Sequence, residues 1–384
     1  MRYILVFCVV FLTGCTSFPM QQATSSYLQH LYRRIPYKTE GRYRVIDIFY
    51  ATDRKIEGKT TLAKSFRPEL GAGVSYGNVN IRIDPKLTIG KMLPHWYKKS
   101  GVIGLQKINP MDENAFIQKL SEKVKSSPHK SLLVIVFGYK DSFEYTAIKA
   151  AYFSYLLDVN TPILLFDWPG DQAVSIGGYL KAQELARDSG PYLSRVLCRI
   201  INKVNPDKFW IEASSLGSQV VCSAFENMCT RSDFADAELE IDHVVLAAPD
   251  VGEKEFDEKF RDEISSLSKK LTTYVSSDDE ALLLSGFLDG EKKLGRQQVK
   301  RYKQKQLDEA KNILYVKSLA PDKIALVDVT PINDSSYKHG YYLEAPEFFD
   351  DFYLRIFEKP PHINRRLYLL KYKGDMNYWV LRRH

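Results

Sequence analysis

Cysteine is scarce. The 384 residues contain five, and two of these are Cys8 and Cys15, close to the start. Cys198, Cys222 and Cys229 remain, an odd number, so at least one thiol stays outside any bridge within the chain. Cys222 and Cys229 fall on one expected helix about two turns apart, too far to join each other. Cys198, on the preceding helix, is a candidate to bridge to either in an oxidising compartment, and buried thiols are the equal alternative. No cysteine and histidine group has the spacing of a zinc site. Internal repeats are absent, and so is any nucleic-acid motif. Hydrophobic residues make up 45% and charged residues 26%, which excludes a disordered chain and a polytopic membrane protein. The length fits one large α/β domain with decorations or two ordinary domains.

The one continuous apolar stretch near the start is short. Arg2 precedes the run Ile4–Leu12, and Leu12-Thr13-Gly14-Cys15 closes it. A basic start, a short apolar run and small residues at its end form a secretory signal, too short to span a bilayer as a mature helix. Leu-Thr-Gly-Cys resembles the bacterial lipobox. That resemblance implies cleavage before Cys15, a diacylglycerol on its thiol, acylation of the new amino group and retention at a membrane. Thr16 rather than aspartate follows the cysteine, which by resemblance to lipoprotein sorting points to the outer membrane.

Net charge is +7, and the excess is local. From Lys359 onward Lys359, Arg365, Arg366, Lys371, Lys373, Arg382 and Arg383 face Asp375 alone. A second basic stretch covers 292–305. A solvated basic surface is the plain reading, and attraction to anionic envelope polymers or lipid headgroups the sharper one.

Apolar periodicity divides the chain into a signal segment at 1–14, a polar tether at 15–42 with a lead-in helix near 26–34, a domain at 43–358 and a basic tail at 359–384. Strands are expected at 44–50, 78–83, 132–137, 162–166, 208–213, 243–248, 271–276 and 324–329. Helices are expected at 115–124, 142–157, 176–204, 216–228, 256–268, 280–286 and 346–357. Short apolar strands alternating with helices predict an α/β fold with a mostly parallel sheet covered on both faces. The polar segment at about 290–308 breaks the alternation and is expected to be an insertion near the sheet's top.

Phe209 to Ser218 reads strand, sharp turn, helix around Ser215. This is the setting of a nucleophile elbow, where a strained turn lifts a serine hydroxyl clear of the sheet. The turn crowds the residues two before and two after the serine, and here they are Ala213 and Gly217. A serine needs a base, and this fold supplies acid and base in the order Ser, Asp or Glu, His. His30, His95, His129 and His243 come too early, and His362 and His384 lie in the tail. His339 follows the last strand of the domain in a turn-rich loop, the position expected of the base. Two sites offer the acid: Asp250 after one strand, Asp278 and Asp279 after the next.

Further segments occur in order: Phe49-Tyr50-Ala51-Thr52-Asp53-Arg54, Tyr76-Gly77, Phe137-Gly138-Tyr139, Phe166-Asp167-Trp168-Pro169, Ala247-Ala248-Pro249-Asp250 and His339-Gly340-Tyr341-Tyr342. Together they resemble a bacterial α/β-hydrolase domain family of unknown function, over about residues 44–358. The resemblance implies Ser215 as nucleophile, Asp279 rather than Asp250 as acid and His339 as base. It also implies an oxyanion hole of backbone N–H groups, those of Leu216 and Tyr139. Departures from the family pattern fall at Phe137 and Ser214, where histidine is usual, and at Lys140, where asparagine is usual. The expected function is a lipid-anchored serine esterase or lipase acting on an acyl-ester or lipid-like substrate, without metal or organic cofactor. The alternatives are a binding module that keeps the pocket and a structural lipoprotein with a partner-binding tail.

Overall fold

The computed structural model describes residues 38–87, 101–230, 241–297, 323–373 and 376–383. The expected signal segment, Cys15, the lead-in helix and the part of the insertion beyond Gln297 lie outside these residues. Twelve strands form one sheet: β1 Lys38–Glu40, β2 Tyr43–Ile56, β3 Phe66–Ile83, β4 Ile103–Met111, β5 Ser131–Val136, β6 Ile163–Asp167, β7 Lys208–Ser214, β8 His243–Ala247, β9 Leu271–Val275, β10 Ile324–Asp328, β11 Leu367–Lys373 and β12 Met376–Leu381. Their order is β11-β12-β10-β9-β8-β7-β5-β6-β2-β3-β4, with β1 paired to β2. Every pair from β12 across to β2 is parallel, and β2-β3-β4 and β11-β12 add antiparallel wings.

The parallel strands are buried on both faces, which is why they read as unbroken apolar runs. All six residues of β5 and all five of β8, β9 and β10 are buried. Helices α1 Glu113–Ser126, α2 Phe143–Leu157, α3 Ile176–Lys203, α4 Gly217–Cys229, α5 Arg261–Leu267, α6 Glu280–Asp289 and α7 Pro346–Ile356 cover the sheet. Local caps start several of them: Asp112 accepts from the Ala115 N–H and Ser175 from the Gly178 N–H. α1 turns Phe116, Leu120 and Val124 inward at helical spacing. α2 is buried on most sides, because its Phe153 also packs against Phe349 and Phe352 of α7. Among the described residues no helix is long and apolar enough to cross a membrane, and no disulfide joins Cys198, Cys222 or Cys229.

Three expectations need correction. The tether does not run to 42, since Lys38–Glu40 already pairs with β2. The expected strands do not include the edge strand β4, which Gly104 and Pro110 interrupt and where only Ile103 and Ile108 are buried; proline is tolerated at an edge, where no ladder donor is required. Most importantly, 359–384 is not a tail. β12 runs parallel to β10, and two basic residues beside the β11-β12 pair have acidic partners: Arg366 pairs with Asp350 at 3.0 Å and Arg383 with Asp334 at 2.5 Å. Charge concealed these strands, because the partner carboxylates are distant in sequence.

Removing residues 360–384 would bare the β10 edge and strip Leu367, Leu369, Trp379, Val380 and Leu381 from the core. Each large apolar side chain lost from burial removes about 1.5–3 kcal/mol. The truncated protein is expected to be insoluble or to melt far below the full chain. A soluble truncation with an unchanged melting curve would contradict the assignment of β12 to the sheet.

Candidate active site

The carboxyl ends of the parallel strands share one edge of the sheet, and there β7 breaks into the turn that carries Ser215. Ser215 adopts φ 53°, in the left-handed region that L-residues avoid. Its N–H donates to the Ala247 carbonyl at 2.9 Å, and its carbonyl accepts from the Asp250 N–H at 3.1 Å. A Cβ on Gly217 would run into the carbonyls of Val136 and Phe137, so the steric requirement for a small residue there is real. Gly138 lies against the serine itself. A Cβ there would stand 2.7 Å from Ser215 Cβ and 3.1 Å from its Oγ. The Ser215 hydroxyl has no hydrogen-bond partner among the described residues, a common state of catalytic groups before substrate binds.

His339 is delivered by the loop after β10. Its Nδ1 lies 2.7 Å from Oδ2 of Asp279, a fully buried carboxylate. The other oxygen, Oδ1, accepts from the Leu282 N–H at 2.9 Å and so caps α6. One carboxylate therefore fixes both the helix start and the imidazole. With Nδ1–H donated to Asp279, Nε2 is left as the basic nitrogen. Burial pulls the imidazole pKa down, but the charge and hydrogen bond of Asp279, with the charge of Asp250, outweigh it against the opposing charge of Lys149. The net result lies above the ordinary histidine value.

Of the two candidate acids, the structure brings only Asp279 to His339. The Asp250 carboxylate is taken by the Tyr179 hydroxyl at 3.0 Å, the Ser285 hydroxyl at 3.2 Å and the Lys293 ammonium at 3.1 Å. It ties α3, α6 and the segment after α6 to the elbow. Lys293 belongs to the expected insertion, yet it is buried at this site.

The N–H groups of Leu216 and Tyr139 have no acceptor among the described residues. Their loop is held from several sides. Trp168 Nε1 donates to the Phe137 carbonyl at 2.7 Å, and Lys140 N–H to the Gly170 carbonyl at 2.7 Å. The Tyr139 hydroxyl donates to the Ala173 carbonyl at 2.5 Å. Arg54 Nη2 donates to the Asp141 carbonyl at 3.0 Å, while its Nε meets Asp167 Oδ2 at 2.5 Å and its Nη1 meets Asp171. Phe137 and Ser214 are buried, and Lys140 is exposed with φ 81°. The sequence pattern assigns no role to Arg54 or Lys149. A single cation in the otherwise apolar middle of α2 was the available signal.

Around this edge the surface is apolar. Val174, Ile176 and Leu180 stand out from α3 and the turn before it, Leu283, Leu284 and Phe287 from α6, and Tyr337 from the histidine loop. Phe287 is 77% exposed and Val174 73%. Gln183 of α3 bonds Asp289 of α6 at 2.9 Å, so the two apolar ridges are neighbours. Among the described residues no group of three His, Cys, Asp or Glu side chains is placed to hold a metal ion.

A mostly parallel sheet with a left-handed serine after a central strand defines an α/β hydrolase. The chain belongs to the family described as alpha/beta hydrolase of unknown function (DUF900), whose model matches residues 112–355. That span contains Ser215, Asp279 and His339, but not the Ala51–Arg54 segment or the β11-β12 wing. Comparison with curated proteins finds no match for the chain.

If His339 acts as a base, activity requires its neutral form and fails as pH falls through its pKa. The acidic limb of the rate profile is expected above the ordinary histidine range. Asp279→Asn keeps a good helix cap but removes the charge that raises His339. The limb should move to lower pH and the plateau fall by up to about 10⁴-fold. A limb unmoved in this variant would remove Asp279 from the site.

Proposed function

We propose that the chain is a serine hydrolase of the esterase or lipase kind, acting on acyl esters. The observation that carries this reading is the left-handed Ser215 at the same sheet edge as the 2.7 Å Asp279–His339 pair. In the mechanism, Ser215 Oγ attacks the ester carbonyl carbon while His339 Nε2 takes its proton. The carbonyl oxygen becomes an oxyanion and is held by the N–H groups of Leu216 and Tyr139. Collapse of the tetrahedral intermediate expels the alcohol, which leaves with the proton from His339. Water then attacks the acyl-serine by the same route and releases the acid. Asp279 holds the tautomer and stabilises the imidazolium. The exposed apolar ridges favour a substrate with a hydrophobic acyl chain, since large apolar side chains gathered in one surface patch mark a binding region.

A second reading keeps the pocket for binding alone. The unpartnered Ser215 hydroxyl and the departures at Phe137, Lys140 and Ser214 favour it. Labelling with a fluorophosphonate probe separates the two. The hydrolase reading expects labelling of the wild type that is lost in Ser215→Ala and falls by about 10²–10⁴-fold in His339→Ala. No labelling of a folded wild-type protein would sink it and leave the binding module.

The proposed location is the outer membrane of the bacterial envelope, with lipid on Cys15. Cys15→Ser should abolish incorporation of labelled fatty acid into the protein, and incorporation unchanged by this substitution would refute the anchor at Cys15.

A further inference from the structure

Lys149 lies in the middle of α2, and its side chain is only 7% exposed. A buried ammonium is unfavourable unless paired. Its Nζ donates to Asp141 Oδ2 at 2.7 Å and stands 4.4 Å from the centre of the Phe137 ring. Tyr145 and Tyr342 present their rings at 5.9 Å. Phe137 and Asp141 bracket the loop that offers the Tyr139 N–H. Tyr342 belongs to the other half of the site, and its ring meets that of His339 edge-on at 6.2 Å. The ammonium therefore stands between the oxyanion loop and the histidine segment, in contact with both.

We propose that Lys149 is a positioning residue for the reaction, whose ammonium ties the oxyanion loop to the segment carrying His339. This inference rests on the serine-hydrolase reading. Asp141 is pinned twice, through its carboxylate by Lys149 and through its carbonyl by Arg54. The Phe137 ring is held beneath the same cation. Burial works against the charge of Lys149, but Asp141 more than offsets it and the ammonium stays protonated.

A second consequence follows from charge. The charged groups acting on His339 are Asp279 at the start of α6 and Asp250 after β8, which favour its protonated form, and Lys149 from α2, which opposes it. Tyr342 packs on the ring, with Glu212 of β7 acting on Tyr342. Without the Lys149 charge, His339 binds its proton more tightly and the base is neutral only at higher pH.

The test is the rate at which the full chain reacts with a fluorophosphonate, measured against probe concentration and pH. Lys149→Met alone strands the buried Asp141 carboxylate, so Lys149→Met with Asp141→Asn is the second variant, checked for a native circular dichroism spectrum and melting curve. In the folded variant the limiting inactivation rate is expected to fall about tenfold to hundredfold, within the range for a disturbed oxyanion donor. The half-saturating probe concentration should stay within about twofold, as for an interaction made only in the transition state. In Lys149→Met alone, which keeps the Asp141 charge, the acidic limb should move to higher pH. A wild-type rate, or a lowered rate with an unmoved limb, would overturn the role of Lys149. A wild-type chain that does not react at all would instead overturn the hydrolase reading on which it rests.

Discussion

The turn at Ser215 holds a serine in a backbone conformation that is unfavourable by roughly 1–2 kcal/mol. Such strain persists only where the surroundings over-determine it. Here they do so from three sides. The strand β8 takes the Ser215 N–H, the Asp250 N–H takes its carbonyl, and the end of β5 presses on Gly217 and brings Gly138 against the side chain. Each neighbour is then committed. Gly138 must stay bare, Asp250 must follow β8 closely, and the loop from Phe137 to Asp141 must leave β5 at one angle. Release of the turn would free all of these together.

Carboxylates organise the rest of the site, and their roles differ with their surroundings. Asp279 divides its two oxygens between a helix start and an imidazole. Asp250 gathers a tyrosine, a serine and a lysine and reaches His339 only through its charge. Glu212, three residues before Ser215, has no hydrogen-bond partner for either oxygen, and burial pushes its carboxyl up to about 8. Burial also pushes Asp53, on β2, up to about 7. Burial pushes the Asp167 carboxyl up as well, and the Arg54 guanidinium beside it opposes that shift. The sheet edge is thus a graded field in which His339 is held between two anions and one cation.

The parallel strands and the helices between them were legible because burial on both faces writes itself into a contiguous apolar run. The elbow was legible for a similar reason: Ala213, Ser215 and Gly217 are adjacent, and the crowding that selects them is local. His339 could be placed by chain order and by the turn formers around it. Between Asp250 and Asp279 local features were equivalent, since each is an aspartate in the loop after a strand and shortly before a helix. Resemblance favoured Asp279, and the fold brings that residue to the imidazole.

What the sequence determined by itself is therefore whatever depends on neighbours along the chain: the strand and helix pattern, the sharp serine turn, the small residues that permit it and the chain order of Ser215, Asp279 and His339. Tertiary structure alone decided which carboxylate meets His339, that Lys149 stands between the two halves of the site, that Arg54 and Asp141 meet across 87 residues, and that the basic C-terminal segment completes the sheet. Each of these is a pairing of charges or of backbone edges far apart in sequence. A charged side chain reads alike along the chain whether solvent or a distant partner will neutralise it, and only the folded geometry brings that partner within hydrogen-bonding reach.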